Sequence, residues 1–432
     1  MTYSACIDYL YGLQKHGIKL GLDTMRALVE RVGHPERQLR ALHIGGTNGK
    51  GSTSALVASM LQASGLRVGL YTSPHLVDFR ERIRVNGDMI SEDRMADLTD
   101  RIHAASTTEI DPTFFEATTA LAFLYFAEAH VDVAVLEVGL GGRFDATNVI
   151  EDPLACAITT IGLDHQEHLG YTEEAIAAEK SGIIKRSIPV VVGRMGPRAA
   201  AVIRGIAAER DAPVWELARD FTVAGQRPSN FSYRGHTRSF EGLTCALDGH
   251  HQLDNAACAL ALLERFERTG MSVPESAIRQ GLRSVSWEGR LEQVEQDPAI
   301  LLDGAHNPAA AQALAAHLTE FVESHPGSRV ILVLGMMRDK DHRGFVAPLQ
   351  RLASEVILTQ SSLDRSATVA ELRSVLAEWR QPIHEMSAPG DAVVRARMLA
   401  TSRDVICVTG SLMLLGEVKA AMHGRVLSPL RG

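Results

Sequence analysis

A glycine-rich loop that contains a lysine is the strongest chemical feature of this 432-residue sequence. Residues 43–61 read HIGGTNGKGSTSALVASML, in which an apolar run precedes a glycine-rich turn and a helix-forming stretch. Glycines let backbone amides approach an anion closely, and a helix N-terminus favours negative charge. We therefore predict that Lys50 contacts the terminal phosphates of a nucleotide, and that the hydroxyl of Ser52 or Thr53 holds Mg²⁺.

The loop departs from the common phosphate-loop pattern GxxxxGK[ST] at two positions. That pattern requires a glycine where this sequence has Ile44, and a hydroxyl residue where it has Gly51. The departure argues against an ordinary kinase or GTPase. A glycine-rich turn with an incidental lysine is the alternative, but the strand–turn–helix context favours nucleotide binding.

Polar side chains also follow three other predicted strands. Ser73 lies in YTSPHL, Glu137 ends a nearly continuous apolar run, and His165 follows TTIGLD. Ligands of open α/β sheets bind at the carboxyl ends of strands, so these three side chains could converge on one Mg²⁺. Histidine is an unusual ligand for so hard an ion, and a hydrogen-bonded loop histidine is the alternative. Lys180, near a predicted helix end, indicates by itself only a cation at a helix C-terminus.

Short β-rich runs alternate with longer helical stretches, which predicts βαβ units around mostly parallel sheets. In the first part of the chain we predict strands at Leu42–Gly45, Arg67–Thr72, Val131–Val138, Ala155–Ile161 and Ile188–Val192, and helices at Lys50–Ser64, Glu92–Ala105, Phe115–Ala129 and Thr172–Glu179. Residues 214–250 alternate polar and aromatic side chains and predict an antiparallel β excursion at the edge of the first domain. Helices are predicted to follow at His251–Arg268 and Pro274–Val285.

A second alternating series begins near Ala299. Its predicted strands are Ala299–Asp303, Arg329–Leu334, Glu355–Thr359 and Asp404–Thr409, and its predicted helices are Pro308–Ser324, Phe345–Leu352, Val369–Trp379, Asp391–Ala400 and Leu412–Met422. The predicted fold is therefore α/β: an N-terminal P-loop ATPase domain with a mostly parallel sheet, residues 1–287, and a smaller C-terminal Rossmann-like α/β domain, residues 288–432. The hinge is placed at Val285–Leu291.

Composition excludes several classes of protein. The chain has 44 Lys and Arg against 52 Asp and Glu, a formal net charge of −8, which argues against a general nucleic-acid or membrane-surface binder. Five scattered cysteines without a CxxC pattern argue against a disulfide scaffold or a zinc ribbon. No secretion signal or membrane-spanning run is evident, so we expect a cytoplasmic protein.

Several motifs, taken together and in order, resemble one family. They are GTNGKGS (46–52), YTSPHL (71–76), EVGLGGRFDATN (137–148), LDHQEHLG (163–170), AEKSGIIK (178–185), HQLDNAACALA (251–261), GRLE (289–292), DGAHNP (303–308), GMMRDKD (335–341) and TGSLMLLGEV (409–418). This set resembles the Mur ligase superfamily, and within it the folylpolyglutamate synthases and bifunctional dihydrofolate synthase/folylpolyglutamate synthases. The resemblance covers nearly the whole chain.

The resemblance implies an ATP-dependent amide ligase. ATP would phosphorylate a substrate carboxylate to an acyl phosphate, and the amine of L-glutamate would then attack, so the protein mainly positions reactants and neutralises charge. The implied acceptors are dihydropteroate, which gives dihydrofolate, and tetrahydrofolates, which give polyglutamates. A folylpolyglutamate synthase without the dihydropteroate step is the nearest alternative. A cell-wall Mur ligase, a P-loop switch or motor protein and a non-catalytic binding protein are weaker ones.

The resemblance also assigns site residues. The implied ATP contacts are Asn48, Gly49, Lys50, Gly51, Ser52, Asn255, Arg290, Asp303 and His306, which would place ATP between the domains. Ser52 would hold a first Mg²⁺, and Ser73, Glu137 and His165 a second. Lys180 falls where the family carries an N6-carboxylated (carbamylated) lysine, and Lys50, Lys180 and His165 are the implied catalytic residues. The family's usual form is a monomer.

The implied contacts with dihydropteroate or folate are Gly17, Ile18, Lys19, Leu20, Phe115, Arg143 and Asp145. The RFDATN form of the motif around Arg143 and Asp145 is closer to the bifunctional enzymes than to the synthases alone. One departure lies nearby, because Thr24 stands where an arginine is expected, and Arg26 is the candidate substitute.

Overall fold

The computed structural model describes residues 1–17, 19 and 21–424 of the chain. The chain folds into two compact units. The first comprises Met1–Pro74, Arg80–Ala246 and Gln252–Ser286, and the second comprises His75–Phe79, Leu247–His251 and the chain from Trp287 onward. Two short segments that precede residue 252 therefore belong to the second unit.

An eight-stranded sheet forms the centre of the first unit. Its strands are β1 Ala41–Gly45, β2 Val68–Tyr71, β3 Ile83–Val85, β4 Asp88–Met89, β5 Val133–Glu137, β6 Ala155–Ile158, β7 Val190–Val192 and β8 Val214–Glu216. They lie in the order β4-β3-β2-β5-β1-β6-β7-β8, and only the pairings of β3 and β4 are antiparallel. Every residue of β1 and β5 is buried, as expected for parallel strands covered on both faces.

Helices surround this sheet. They are α1 Tyr3–Gly12, α2 Asp23–Arg31, α3 Lys50–Ala63, α4 Glu92–Ala105, α5 Phe114–Glu128, α6 Gln166–Leu169, α7 Glu173–Lys180, α8 Pro197–Glu209, α9 His251–Glu267 and α10 Glu275–Ser284. Helix α5 begins at a capping box formed by Thr113 and Glu116, and its apolar sequence is buried on nearly every side. Helix α3 packs against β1, β2 and β5, which places its N-terminus at the carboxyl edge of the sheet.

A small separate sheet follows the eighth strand. It contains β9 Thr222–Arg227, β10 Asn230–Arg234 and β11 Ser239–Leu243, paired antiparallel in the order β11-β10-β9. The predicted antiparallel excursion is confirmed for these strands. It was wrong for Val214–Glu216, which joins β7 in parallel at the edge of the main sheet. Three residues are too few to show a periodicity that would distinguish the two arrangements.

The second unit has its own six-stranded sheet. Its strands are β12 Glu292–Gln296, β13 Ala299–Asp303, β14 Val330–Leu334, β15 Ala353–Leu358, β16 Ile383–Glu385 and β17 Val405–Thr409, and its helices are α11 Pro308–Ser324, α12 His342–Val346, α13 Val369–Val375, α14 Pro389–Leu399 and α15 Leu412–His423. The order is β12-β13-β17-β14-β15-β16, and only β12 is antiparallel to its neighbour.

Alternate residues of these strands face two different cores. Leu301 and Leu332 belong to the core on one face, whereas Ile300, Ile331 and Ile406 belong to the core on the other. This follows from the two-residue period of side chains along a strand, because a strand buried on both faces must be apolar throughout.

The predicted α/β class with mostly parallel sheets is confirmed. Helix 308–324 and strand 299–303 have the predicted bounds, whereas the helix predicted over Phe345–Leu352 begins at His342 and ends at Val346. Strands β3, β4, β12 and β16 and helices α1, α2, α6 and α8 were not predicted. Among the helices of the described residues, none combines the length and the hydropathy that a membrane-spanning segment requires.

Candidate active site

Two glycines shape the loop between β1 and α3. Gly46 has a φ of +138° and Gly49 a φ of +83°, in the region that favours glycine. A Cβ atom at Gly46 would lie 2.1 Å from Oγ1 of Thr159, and one at Gly49 would lie 2.3 Å from Oδ1 of Asn255. Both the backbone conformation and the close neighbours therefore require glycine at these positions.

The loop is held by residues that follow β6. The backbone N–H of Thr47 donates to the carbonyl oxygen of Thr160 over 2.8 Å, and that of Asn48 donates to Thr160 Oγ1 over 3.0 Å. The hydroxyl of Thr159 donates to the carbonyl oxygen of Asn48 over 2.6 Å. Sequence reasoning missed these two threonines, although their position at the carboxyl end of a parallel strand was a usable signal.

Helix α9 also reaches the phosphate loop. Gln252 Nε2 lies 3.4 Å from the hydroxyl oxygen of the buried Ser52, and Asn255 Nδ2 donates to Gln252 Oε1 over 2.8 Å. The structure thus places Asn255 beside Gly49 and links it to Ser52 through Gln252, while its role as an ATP contact stays a prediction. Gln252 was missed, and the HQLDN motif was the signal that could have found it.

Two lysines approach the loop. Lys50, the first residue of α3, donates from Nζ to the carbonyl oxygen of Thr47 over 3.0 Å. Lys180, the last residue of α7, is only 4% exposed, and its Nζ donates to the carbonyl oxygen of Gly46 over 2.9 Å. Burial, together with the nearby charge of Lys50, lowers the pKa of Lys180 to about 7. Lys180 is therefore a buried part of the loop's surroundings rather than a solvated cation at a helix end.

The candidate metal ligands lie at neighbouring strand ends. The backbone N–H of Ser73, after β2, donates to Oε2 of the buried Glu137, at the end of β5, over 3.0 Å. Glu137 is also paired in register with Ile44 of β1, directly before the phosphate loop. A carboxylate and a hydroxyl are hard oxygen donors that suit Mg²⁺, so these residues fit such an ion.

His165, the third predicted ligand, lies on an exposed turn. It follows β6 in a left-handed conformation, with φ +50°, and its Nε2 lies 4.0 Å from Asp164 Oδ1. Its side chain is 40% exposed. In the described ranges, no cluster of three or more His, Cys, Asp and Glu side chains is arranged to hold a metal, so an ion at Glu137 would also need hydroxyl, water or substrate oxygens.

The predicted acceptor-binding residues fall in separate places along the chain. Gly17 has a φ of +58°, and Lys19 donates from Nζ to the carbonyl oxygen of Asp111 over 2.8 Å. The predictions for Ile18 and Leu20 lie outside the described residues. The ring of Phe115 packs on Gly139, where an added Cβ would lie 2.4 Å from Cζ. Phe115 thus lies beside the glycine-rich segment that follows Glu137.

Arg143 lines a cavity, whereas Asp145 forms hydrogen bonds within the loop that carries Arg143. Arg143 Nη2 lies 3.3 Å from Glu179 Oε1. The carboxylate of Asp145 is buried and accepts hydrogen bonds from the backbone N–H groups of Leu140, over 2.8 Å, and Thr147, over 3.1 Å. Burial raises its pKa, and these hydrogen bonds oppose that effect. The residues that line the cavity, of about 440 Å³, are Gly21, Leu22, Asp23, Arg26, Arg143, Phe144, Asn148, Glu151 and Lys185.

Three predicted nucleotide contacts lie together within the second unit. Asp303 ends β13, and its Oδ2 accepts a hydrogen bond from the backbone N–H of Leu291 over 3.0 Å. Arg290 Nη1 would lie 2.4 Å from a Cβ added to Gly304, so this glycine leaves room for the guanidinium. His306 Nδ1 lies 2.8 Å from the carbonyl oxygen of the same glycine. Arg290, Asp303 and His306 therefore share one strand end.

Comparison with known proteins agrees with this architecture. The "Mur ligase middle domain" family matches residues 44–263, and the "Mur ligase, glutamate ligase domain" family matches residues 289–412. The dihydrofolate synthase/folylpolyglutamate synthase of Bacillus subtilis is 36% identical, over 97% of this chain and 98% of its own. The chain therefore belongs to the Mur ligase family, and within it to the dihydrofolate synthase/folylpolyglutamate synthases.

Solved structures of folylpolyglutamate synthase/dihydrofolate synthases have the same fold as this chain. Escherichia coli FolC in complex with DHPP and ADP superposes with a TM-score of 0.89 at 32% identity, covering 98% of each chain. A bifunctional folylpolyglutamate synthase/dihydrofolate synthase from Yersinia pestis, complexed with AMPPNP and a Mn ion, has a TM-score of 0.88 at 34% identity, again covering 98% of each chain.

Proposed function

We propose that this protein is an ATP-dependent ligase that adds L-glutamate to dihydropteroate, giving dihydrofolate, and to tetrahydrofolates, giving polyglutamates. The observation that carries the proposal is the phosphate loop with the buried Lys180 bonded to it, in a chain similar along its whole length to enzymes of that name. ATP and Mg²⁺ are the required cosubstrate and metal ion.

The loop binds the phosphates of ATP. Gly49 is the N-cap of α3 and Lys50 its first residue, so the backbone amides of Gly49 to Ser52 lie at the helix N-terminus, where negative charge is stabilised. The Nζ of Lys50, which donates to the carbonyl oxygen of Thr47, is the proposed cation for the terminal phosphates. The acceptor carboxylate attacks the γ-phosphorus, which gives an acyl phosphate and ADP. The amine of L-glutamate then attacks the acyl carbon, and phosphate leaves. In the second unit, Arg290, Asp303 and His306 remain proposed nucleotide contacts.

Ser52 is the proposed ligand of a first Mg²⁺, and Ser73, Glu137 and His165 are the proposed ligands of a second. When bound, Mg²⁺ supplies charge neutralisation for the phosphoryl oxygens. The hydrogen bond from Ser73 to Glu137 fixes the carboxylate of Glu137 at the strand end, which reduces the entropy lost when a ligand binds there.

Lys180 is the proposed site of N6-carboxylation. A neutral amine can add CO₂, and a pKa of about 7 leaves about half of this amine uncharged near neutral pH. The carbamate keeps one N–H, which still donates to the carbonyl oxygen of Gly46. Its oxygens carry a negative charge that can support the metal ions. Burial and hydrogen bonding therefore suit the modified side chain as well as the free one.

The acceptor is proposed to contact the segments around Gly17 to Leu20 and Phe115 and the loop of Arg143 and Asp145. Arg26 lines the same cavity as Arg143, which supports it as the substitute for the arginine missing at Thr24. The RFDATN form of this loop and the name of the Bacillus subtilis relative favour the bifunctional enzyme over a folylpolyglutamate synthase alone.

We further propose that residues 1–287 carry phosphate-loop and acceptor binding and that residues 288–432 form the glutamate ligase domain. The protein is proposed to act as a monomer in the cytoplasm, without nucleic-acid or membrane partners. The net charge of −8 supports the absence of polyanionic partners. Five buried free cysteines are consistent with a reducing compartment.

Steady-state phosphate release tests the proposal. The purified protein is assayed with ATP, Mg²⁺ and L-glutamate, with either dihydropteroate or tetrahydrofolate as acceptor. We expect each acceptor, added separately, to stimulate phosphate release. Stimulation by tetrahydrofolate but not by dihydropteroate would contradict the bifunctional activity. If neither acceptor stimulates release, the ligase activity itself is contradicted.

A further inference from the structure

A series of buried hydrogen bonds links β1 to the loop after Glu137. His43 lies at the centre of β1, is fully buried, and its Nε2 is 2.7 Å from the hydroxyl oxygen of Thr147. That hydroxyl donates a short hydrogen bond to Oδ1 of Asp145. Asp145 also accepts from the backbone N–H of Leu140, so the series extends into the glycine-rich segment after Glu137.

The chemistry of these groups fixes the direction of each bond. Oδ1 of Asp145 already accepts from the backbone N–H of Thr147 over 3.1 Å, so the carboxylate is the acceptor at this end. A hydroxyl has one hydrogen, and because Thr147 donates it to Asp145, its oxygen must accept from His43. His43 therefore carries its proton on Nε2. Its buried Nδ1 has no hydrogen-bond partner among the residues that the structure describes, as expected for the unprotonated nitrogen.

Burial keeps this imidazole uncharged. Two effects lower the pKa of His43 to about 3: mainly the removal of the ring from water, and to a smaller extent the positive charge of Lys185. At neutral pH the side chain is therefore a fixed, neutral donor. It does not provide charge or accept a proton from a substrate.

The loop held in this way lies next to two other parts of the site. The backbone N–H of Arg143 donates to the carbonyl oxygen of Glu179 over 2.9 Å, and a Cβ at Gly142 would lie 2.7 Å from the carbonyl oxygen of Lys180. A shift of this loop would therefore move Arg143 and disturb the end of α7. Asp145 is the residue of this loop that connects it, through Thr147, to His43.

We propose that His43 is a positioning residue for the pterin-bearing acceptor, acting through Thr147 and Asp145 on the loop that carries Arg143. This inference rests on the proposed function, which assigns acceptor binding to Arg143 and Asp145. Without the donor at His43, the buried hydroxyl oxygen of Thr147 no longer accepts a hydrogen bond, and the bond that ties Thr147 and Asp145 to β1 is lost.

The test compares two substitutions at His43 in the full-length protein. His43→Leu fills the space without a donor, whereas the amide nitrogen of His43→Gln reaches about as far as Nε2 and can donate. We expect His43→Leu to raise the KM for dihydropteroate about threefold to tenfold, the factor that one net hydrogen bond provides. The KM for ATP should change far less, and His43→Gln should restore most of the acceptor KM.

A second pair of variants covers the case in which His43→Leu does not fold. Thr147→Val removes the hydroxyl at nearly constant shape, and Thr147→Ser retains it. We expect Thr147→Val to reproduce the selective rise in the acceptor KM and Thr147→Ser to stay near wild type. Combining His43→Leu with Thr147→Val should add little to either change, because both break one series of bonds.

Three results would overturn the inference. They are an unchanged acceptor KM in the folded leucine or valine variants, equal behaviour of the glutamine and leucine variants, and parallel rises in the KM values for ATP and dihydropteroate. These differ from failure of the proposed function, in which the wild-type protein itself would show no dihydropteroate-dependent phosphate release.

Discussion

The Nζ atom of Lys180 donates a hydrogen bond of 2.9 Å to the carbonyl oxygen of Gly46, so the last residue of α7 is bonded to the first turn of the phosphate loop. Burying a charged lysine is energetically unfavourable, because desolvation penalises its positive charge. In the active enzyme we propose that the side chain is converted to an anionic carbamate, and that the metal ions beside it offset the cost of burying this charge.

Lys180→Ala should therefore reduce the rate of phosphate release by about a hundredfold or more, as expected when a group that stabilises developing charge is removed. Small carboxylic acids such as acetate should restore part of the activity, because their carboxylate can occupy the position of the carbamate. Lys180→Arg is the control, since it keeps a cation but cannot form the carbamate and leaves no space for acetate. Full activity of Lys180→Ala would contradict any catalytic role of this lysine.

The activity should also depend on pH and CO₂ together. The pKa of Lys180 is about 7, so the amine is protonated below this pH and neutral above it, and only the neutral form adds CO₂. Protein held without CO₂ at about pH 6 should lose activity, and bicarbonate at about pH 8 should restore it. The measurement is initial rate in a common assay buffer after each incubation. Rates that do not respond to bicarbonate after either incubation would count against the modification.

Lys50→Ala should abolish acyl-phosphate formation. Lys50 is the first residue of α3, and we propose that its Nζ neutralises charge on the transferred phosphoryl group. Loss of such a group costs about a hundredfold to a thousandfold in rate. Trapping the acyl phosphate with hydroxylamine, in the absence of glutamate, measures this step directly. Lys15→Ala changes an exposed lysine and serves as the matched control. Near-normal trapping in Lys50→Ala would refute the assigned role.

The sequence was most informative where local pattern and local structure coincide. Helix α11 and strand β13 were predicted to the residue because a proline after the cap and a continuous apolar run mark their bounds. Strand β12 was missed because its sequence, EQVEQ, is polar and its residues are mostly half-buried at a sheet edge. Its pairing with β13 is a tertiary interaction that no local window contains.

The same distinction applies to the site. Lys50 and the loop glycines were predicted from local sequence, because the chemistry of a phosphate loop is local in sequence. Thr160 and Gln252 contact the phosphate loop from over a hundred residues away in the sequence, so only a strand-end position and the HQLDN motif could have indicated them. His43 lies just before the loop, but its partner Thr147 is over a hundred residues further along the chain, so the local sequence does not show that bond. The resemblance to a family supplied Lys180, which physical reasoning on the sequence had treated as an ordinary helix-end cation.

Glu137→Gln should raise the Mg²⁺ concentration needed for half-maximal activity by about tenfold or more. The amide oxygen of glutamine can still accept the hydrogen bond from the backbone of Ser73, so the variant removes charge with little change in shape. Magnesium titrations of the phosphate-release rate measure the effect. Glu128→Gln, at an exposed position paired with arginines, is the control. Identical magnesium curves for Glu137→Gln and wild type would remove Glu137 from the metal site.

A final prediction concerns stability of the second unit. Although burial alone would raise the pKa of Asp404, hydrogen bonds from Arg329 and from the backbone and hydroxyl of Thr401 lower it to about 2. A carboxyl with a depressed pKa stabilises the fold above its unfolded pKa near 3.8, and this contribution is lost as the pH falls through about 2. Asp404→Asn should therefore lower the free energy of unfolding by about 1–3 kcal/mol at pH 7.

The difference between Asp404→Asn and wild type should shrink as the pH falls from about 4 towards 2, because the wild-type carboxyl is then protonated as well. Thermal unfolding of both proteins over this range measures it, and Asp391→Asn, which changes a carboxyl in the first turn of α14, is the control. If the two proteins keep a constant difference in Tm down to pH 2, the stabilisation by Asp404 comes from hydrogen-bond geometry and not from its charge.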